Sequence, residues 1–158
     1  MCIRDSSYAF RGCPSLTEIP EGLFRFCPLA NDFSGVFTMC YSLKTLPEGL
    51  FAGNPKAESF GYCFMDCTSL AEIPAGLFSA NRAVKSFQGT FRGCLRVSGE
   101  SPYVVVNGTK VHLYERSKYG GQFIAPDKYE YCFSDCTGLT DYSYMEKNYP
   151  EWSNTYLK

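Results

Sequence analysis

The sequence predicts an α/β repeat solenoid: a right-handed coil of about 27 residues per turn, with short parallel strands, short helical turns and one inserted β-hairpin. Three observations predict it. One string of residues recurs three times in register. A cysteine recurs with it at a fixed interval. A β-branched run around Asn107-Gly108 then interrupts the pattern before it returns.

Cys13, Cys40, Cys67 and Cys94 are each 27 residues apart. The first copy reads Cys13-Pro14-Ser15-Leu16-Thr17-Glu18-Ile19-Pro20-Glu21-Gly22-Leu23-Phe24, and residues 40–51 and 67–78 repeat it. Phe33, Phe60 and Phe87 follow at one offset, and Phe37, Phe64 and Phe91 at a second. Columns held in register over three copies mark units that bury their apolar faces only against each other. A weaker half-period, in which 27–33 echoes 13–19, suggests two short strands and two helical turns per coil.

The first strand is expected at residues 16–19, 43–46 and 70–73. Pro20, Pro47 and Pro74 lack an amide donor and end strand pairing there. The Pro-Glu-Gly-Leu-Phe that follows suits one helical turn, since proline is tolerated in a first turn. The second strand is expected near residues 32–34, 58–61 and 85–88.

Phe10-Arg11-Gly12-Cys13 matches Phe91-Arg92-Gly93-Cys94, so the chain enters in mid-coil without a capping element. An uncapped terminal coil carries a risk of association. Residues 1–7 do not fit the pattern and read as a non-native or disordered tag, and their composition is not that of a signal peptide. The solenoid is expected over 8–141. Residues 129–136 copy 60–67, and Cys94 to Cys136 is 42 residues, so this coil holds 15 extra. The insertion is placed at about 95–128. Within it, residues 103–114 read as a protruding hairpin turning at Asn107-Gly108. Residues 142–158 read as a C-terminal cap.

Composition narrows the function. The 158-residue chain is 45% hydrophobic, and its 13 Phe and 12 Tyr make aromatic rings the main filling of the core. A net charge of −1 lacks the clustered Lys and Arg of a nucleic-acid surface. No apolar run is long enough to insert into a membrane.

The unit Phe-x-x-Cys-x-Ser-Leu-x-x-Ile-Pro-x-Gly-Leu-Phe at residues 10–24, 37–51 and 64–78 resembles the BspA-like leucine-rich repeats of bacterial surface proteins. Residues 91–103, 111–117 and 136–142 resemble the closing part of such arrays. The resemblance implies a leucine-rich-repeat-like coil, secreted or at the cell surface. It implies adhesion-type binding of host or matrix protein or glycan, and no catalytic residue, cofactor or metal.

Nine cysteines in a small chain raise the question of disulfides. Cys13, Cys40, Cys67, Cys94 and Cys136 share one column, and stacked strands hold parallel Cβ vectors about 4.8 Å apart. A disulfide requires closer, converging Cβ atoms. A buried column of free thiols is the expected result. Zinc at Cys63/Cys67 and Cys132/Cys136 is disfavoured, because a coil carrying Thr90 separates the two pairs. A hydrolase is disfavoured as well, since the one histidine, His112, lies on the hairpin and away from the thiol column.

The candidate binding residues are therefore Thr17, Glu18, Lys44, Thr45 and Glu72 on the strand face, with Tyr103, His112, Tyr114 and Tyr119 on the insertion. The competing expectation is a monomeric structural spacer, a stretch of a longer array with no ligand of its own.

Overall fold

A computed structural model describes residues 5–154. Successive 27-residue units lie on one another in register. The amide of Phe33 donates to the carbonyl of Ser59 at 2.9 Å, that of Phe60 to Ser86 at 2.9 Å and that of Phe87 to Lys128 at 2.7 Å. Parallel bridges run through Asp5, Asp32, Ser59, Ser86 and Lys128 in turn. The chain is a stack of repeats.

The expected strands and helical turns do not form as regular elements. Residues 16–19, 43–46 and 70–73 are joined by single bonds per unit: Lys44 N–H to Thr17 at 2.9 Å, Ala71 to Lys44 at 3.1 Å and Ser98 to Ala71 at 2.9 Å. The second set of strands reduces to the isolated bridges above.

The backbone shows why. The amides of Phe33, Gly35, Phe37 and Met39 all donate to the next unit, whereas those of Val36, Thr38 and Cys40 close turns onto the residue three back. Alternate amides thus serve the ladder and the local turn. Every donor is satisfied, and neither a helix nor a strand results.

This alternation requires left-handed backbone at two columns. One holds Tyr8, Gly35, Tyr62, Gly89 and Tyr131, with φ between 57° and 62°. The other holds Gly12, Met39, Asp66, Gly93 and Asp135, with φ between 60° and 76°. A side chain in this region costs about 1–2 kcal/mol, so the non-glycine residues are held there by the stack.

Phenylalanine forms the core. Phe10, Phe37, Phe64, Phe91 and Phe133 stack nearly parallel at 5.4–5.6 Å between ring centres. Phe33, Phe60 and Phe87 form a second column, and Phe24, Phe51 and Phe78 a third. Rings of the second and third columns meet edge to face, as Phe24 does with Phe33 at 5.1 Å. These geometries suit the ring quadrupole and add to the burial term.

The extra residues form one antiparallel hairpin, β1 (Tyr103–Val106) and β2 (Thr109–His112), followed by a 3-10 helix over Leu113–Lys118. Asn107 and Gly108 both take positive φ, as a tight hairpin turn requires. The hairpin protrudes less than expected, because Val111 and Leu113 are buried. Two helices, α1 (Tyr142–Asn148) and α2 (Pro150–Ser153), close the stack. The ladder ends on them: Tyr131 N–H donates to Glu151 and Phe133 N–H to Trp152. Trp152 stacks on Tyr129 at 5.1 Å. Residues 5–7, expected outside the stack, belong to it, since Asp5 bridges Asp32 and Ser6 N–H donates to the Asp32 carbonyl. The remainder of the expected tag, 1–4, and the end of the cap, 155–158, lie outside the described residues. No helix among the described residues is long and apolar enough to cross a membrane.

Candidate binding surfaces

The strand-face residues form a continuous exposed strip. Thr17, Glu18, Lys44, Thr45, Ala71 and Glu72 are all exposed, while Leu43, Leu46, Leu70 and Ile73 beside them point inward. One bond per unit holds the strip in register, so its side chains, mostly polar, recur at the repeat spacing. Lys44 and Ala71 also line an open depression with Ser69, Arg96 and Ser98.

The insertion is built differently. Glu100 bonds Lys110 at 2.6 Å and His112 Nε2 at 3.0 Å, and Glu115 lies 3.2 Å from His112 Nδ1. The Lys110 hydrogen bond holds the Glu100 carboxyl below its usual range, while Glu100 in turn raises Lys110. Tyr103 packs beside His112 at 5.5 Å between ring centres and lies under the Lys110 ammonium. Tyr114 departs from expectation. It is only 3% exposed, stacked on His112 at 5.1 Å, and its hydroxyl donates to Asp141. Burial and Asp141 push the phenol well above its usual range. Tyr114 therefore fastens the insertion to the cap and is not a contact residue. His112, with a side chain 12% exposed, is largely enclosed by the same cluster. Tyr119 is half-buried behind the 3-10 helix.

Arg116 was not singled out by the sequence. It is 1% exposed and continues a ladder begun by two asparagines. Asn54 Nδ2 donates to the carbonyls of Phe24 and Cys27, and Asn81 Nδ2 to those of Phe51 and Asn54. Arg116 donates one unit further on, to Asn81 at 2.7 Å and Phe78 at 3.0 Å. Its guanidinium lies 4.6 Å from the Phe123 ring centre. Burial, with the nearby Arg82, lowers its pKa to about 9, so it stays charged at neutral pH. The Asn54 and Asn81 recurrence is visible in sequence; an arginine replacing the amide is not.

The thiols of Cys40, Cys67, Cys94 and Cys136 are free, and each donates to a phenylalanine carbonyl of the preceding unit at 3.1–3.2 Å. Burial pushes all four upward in pKa. Cys63 and Cys132 are also buried and raised by the same cause. The unit carrying Thr90 lies between them, since Phe64 N–H donates to Thr90 and Phe91 N–H to Cys132. Cys27 is half-buried.

No family model matches the chain. No curated protein matches it either. Among solved structures, it is similar to a leucine-rich repeat protein from Bacteroides ovatus ATCC 8483, with 21% identity and a TM-score of 0.24 over 59% of this chain and 33% of that one. It is also similar to the T. pallidum leucine-rich repeat protein, with 19% identity and a TM-score of 0.21 over 58% of this chain and 59% of that one. The chain thus spans about a third of the first neighbour's length and under two thirds of the second's. The repeat architecture rests on this chain's own ladder and ring columns.

Proposed function

We propose that the chain is a non-catalytic, leucine-rich-repeat-like recognition module, coiled in the right-handed sense. It works outside the cell or at its surface and binds host or matrix protein or glycan in an adhesion-type contact. The observation that carries this reading is the strip of Thr17, Glu18, Lys44, Thr45 and Glu72, exposed between buried residues such as Leu43, Leu46, Leu70 and Ile73. Such an array is pre-organised, so a ligand meets little ordering cost. A non-catalytic role accords with the thiols: burial keeps them protonated, and the thiolate is the nucleophile. His112 faces Glu100 and Glu115.

The test is a binding screen against matrix glycoproteins and a glycan array. A variant with residues 104–111 shortened to a tight turn runs beside the intact chain. Saturable binding that survives the shortening and falls on Lys44→Glu places the contact on the strip. Binding lost on shortening places it on the hairpin. No binding by either folded protein favours the spacer.

A further inference from the structure

One column of the stack departs from what the backbone prefers. Gly35 and Gly89 take left-handed φ without cost, yet Tyr8, Tyr62 and Tyr131 hold the same conformation in alternate units. A bulky residue held there is a true outlier, and such outliers cluster where a side chain is needed. The Tyr8 and Tyr62 rings are not spent in the core, since Tyr8 is 50% exposed and Tyr62 half-buried.

Their placement follows from the glycines. A β-carbon added at Gly35 would overlap the Tyr8 ring, and one at Gly89 would lie 2.5 Å from Cδ1 of Tyr62. Each tyrosine therefore lies along the stack over the glycine of the next unit. The Cδ1–Cε1 edge of each ring lies nearest that glycine, and the Arg11 guanidinium stands 5.6 Å from the centre of the Tyr8 ring. Neighbouring units repeat at about 5.4 Å, the spacing of Phe10 on Phe37, so the two rings recur about 11 Å apart.

Tyr8 and Tyr62 line one open groove of about 400 Å³ with Ser34, Ser59, Ser86 and Gln88. Ser34 and Ser59 share a hydrogen bond of 2.8 Å. Glu58 and Lys85, on the same groove, pair at 3.0 Å, and Asp127 stands beside Lys128. The groove thus offers flat rings, a row of hydroxyls and an amide, and charges that cancel. It has no apolar pocket to anchor a peptide side chain. Its lysines, Lys85 and Lys128, are matched in number by Glu58 and Asp127, so no net positive charge draws in phosphate or sulfate.

We propose that this groove binds a neutral β-1,4-linked glycan, running along the stack with every second sugar lying on a tyrosine. A β-1,4-linked chain is extended, and successive sugars flip, so like faces recur at alternate residues. That repeat fits rings placed in alternate units. The C–H face of a pyranose suits the negative face of the tyrosine ring. The hydroxyls then meet Ser59, Ser86 and Gln88. The proposal rests on the reading of the chain as a recognition module, but places the contact away from the Thr17–Lys44 strip.

The test is calorimetric titration of the intact chain with cellohexaose, xylohexaose and mannohexaose, and with cellobiose, maltohexaose and heparin for contrast. The variants are Tyr8→Gly with Tyr62→Gly, which keeps the backbone because glycine already occupies this column, and Tyr41→Ala, an exposed tyrosine elsewhere. Near-ultraviolet circular dichroism checks that each variant is folded. Saturable binding of at least one β-1,4-linked hexaose is expected, weaker by about tenfold or more in the double glycine variant and unchanged in Tyr41→Ala. Cellobiose binds more weakly than cellohexaose if that is the ligand, because two sugars reach only one ring. Binding unaffected by the glycines, or a preference for maltohexaose or heparin, overturns the proposal. Failure of every β-1,4-linked hexaose while a matrix glycoprotein still binds overturns the groove and leaves the recognition module standing. Failure of all ligands removes both.

Discussion

The regular units over residues 33–94 and the irregular stretch over residues 95–154 solve the same problem by different means. Both must satisfy buried polar groups beside columns of aromatic rings. In the regular units the backbone does most of this itself, with alternate amides serving the ladder and the turn, and Asn54 and Asn81 adding a second donor to carbonyls that already accept in turns. In the irregular stretch side chains do it. Arg116 replaces the asparagine, Asp141 accepts from Tyr114 and Ser101, and Glu100 holds Lys110 and His112. A repeat can reuse one solution at every unit. An insertion that departs from the period must supply its own partners, and each partner is then used once.

The comparison predicts where substitutions hurt. Phe60→Ala should cost the most, about 3–5 kcal/mol in urea unfolding, because the ring meets both the flanking units and the Phe51 and Phe78 rings. Arg116→Ala should follow, at about 2–4 kcal/mol, since it takes the Arg116 bond from the Asn81 carbonyl and a second bond from the Phe78 carbonyl in the interior. Asn54→Ala and Asn81→Ala should each cost about 1–3 kcal/mol and agree within about 0.5 kcal/mol, because the two sites are copies. Unequal losses at the asparagines would break the equivalence of the units.

Alkali should act on the regular units through their thiols. Burial raises the folded-state pKa of Cys67 and Cys94, so the folded chain keeps protons that the unfolded chain releases. Stability from this source is complete below about pH 8.5 and declines as pH rises above it. The urea midpoint should therefore fall between about pH 8 and about pH 10, and fall less in Cys94→Ala. Lys44→Ala should have the smallest effect, below about 0.5 kcal/mol, because the side chain is exposed.

The columns were legible in the sequence because burial constrains residue type. Leu43, Phe60 and Cys67 sit in the interior as their spacing requires. The hairpin was legible because Asn107-Gly108 has few other uses. The exposed strip followed from the same spacing, with Thr17, Lys44 and Glu72 outward. The alternating backbone was not legible, because Tyr62, Met39 and Asp66 take left-handed φ under the constraint of the stack and not by preference. Arg116 lies in Glu115-Arg116-Ser117-Lys118, which reads as a solvated run; only its bonds to the Phe78 and Asn81 carbonyls identify its place. Tyr114 was misplaced because a hairpin's alternation does not tell which face a neighbouring cap will cover. The Tyr8, Gly35, Tyr62, Gly89 column was present at the repeat period, and its alternation could have been read directly.

Removing one whole unit, residues 41–67, tests the central claim most directly. The deletion joins Cys40 to Thr68 and keeps every column in register. If the units are equivalent and contact only their neighbours, the shortened chain remains folded and unfolds cooperatively in urea at a lower midpoint. Its near-ultraviolet circular dichroism keeps the signature of stacked rings, while a deletion of residues 41–53, which breaks the register, loses it. An unfolded product from the whole-unit deletion would contradict the account.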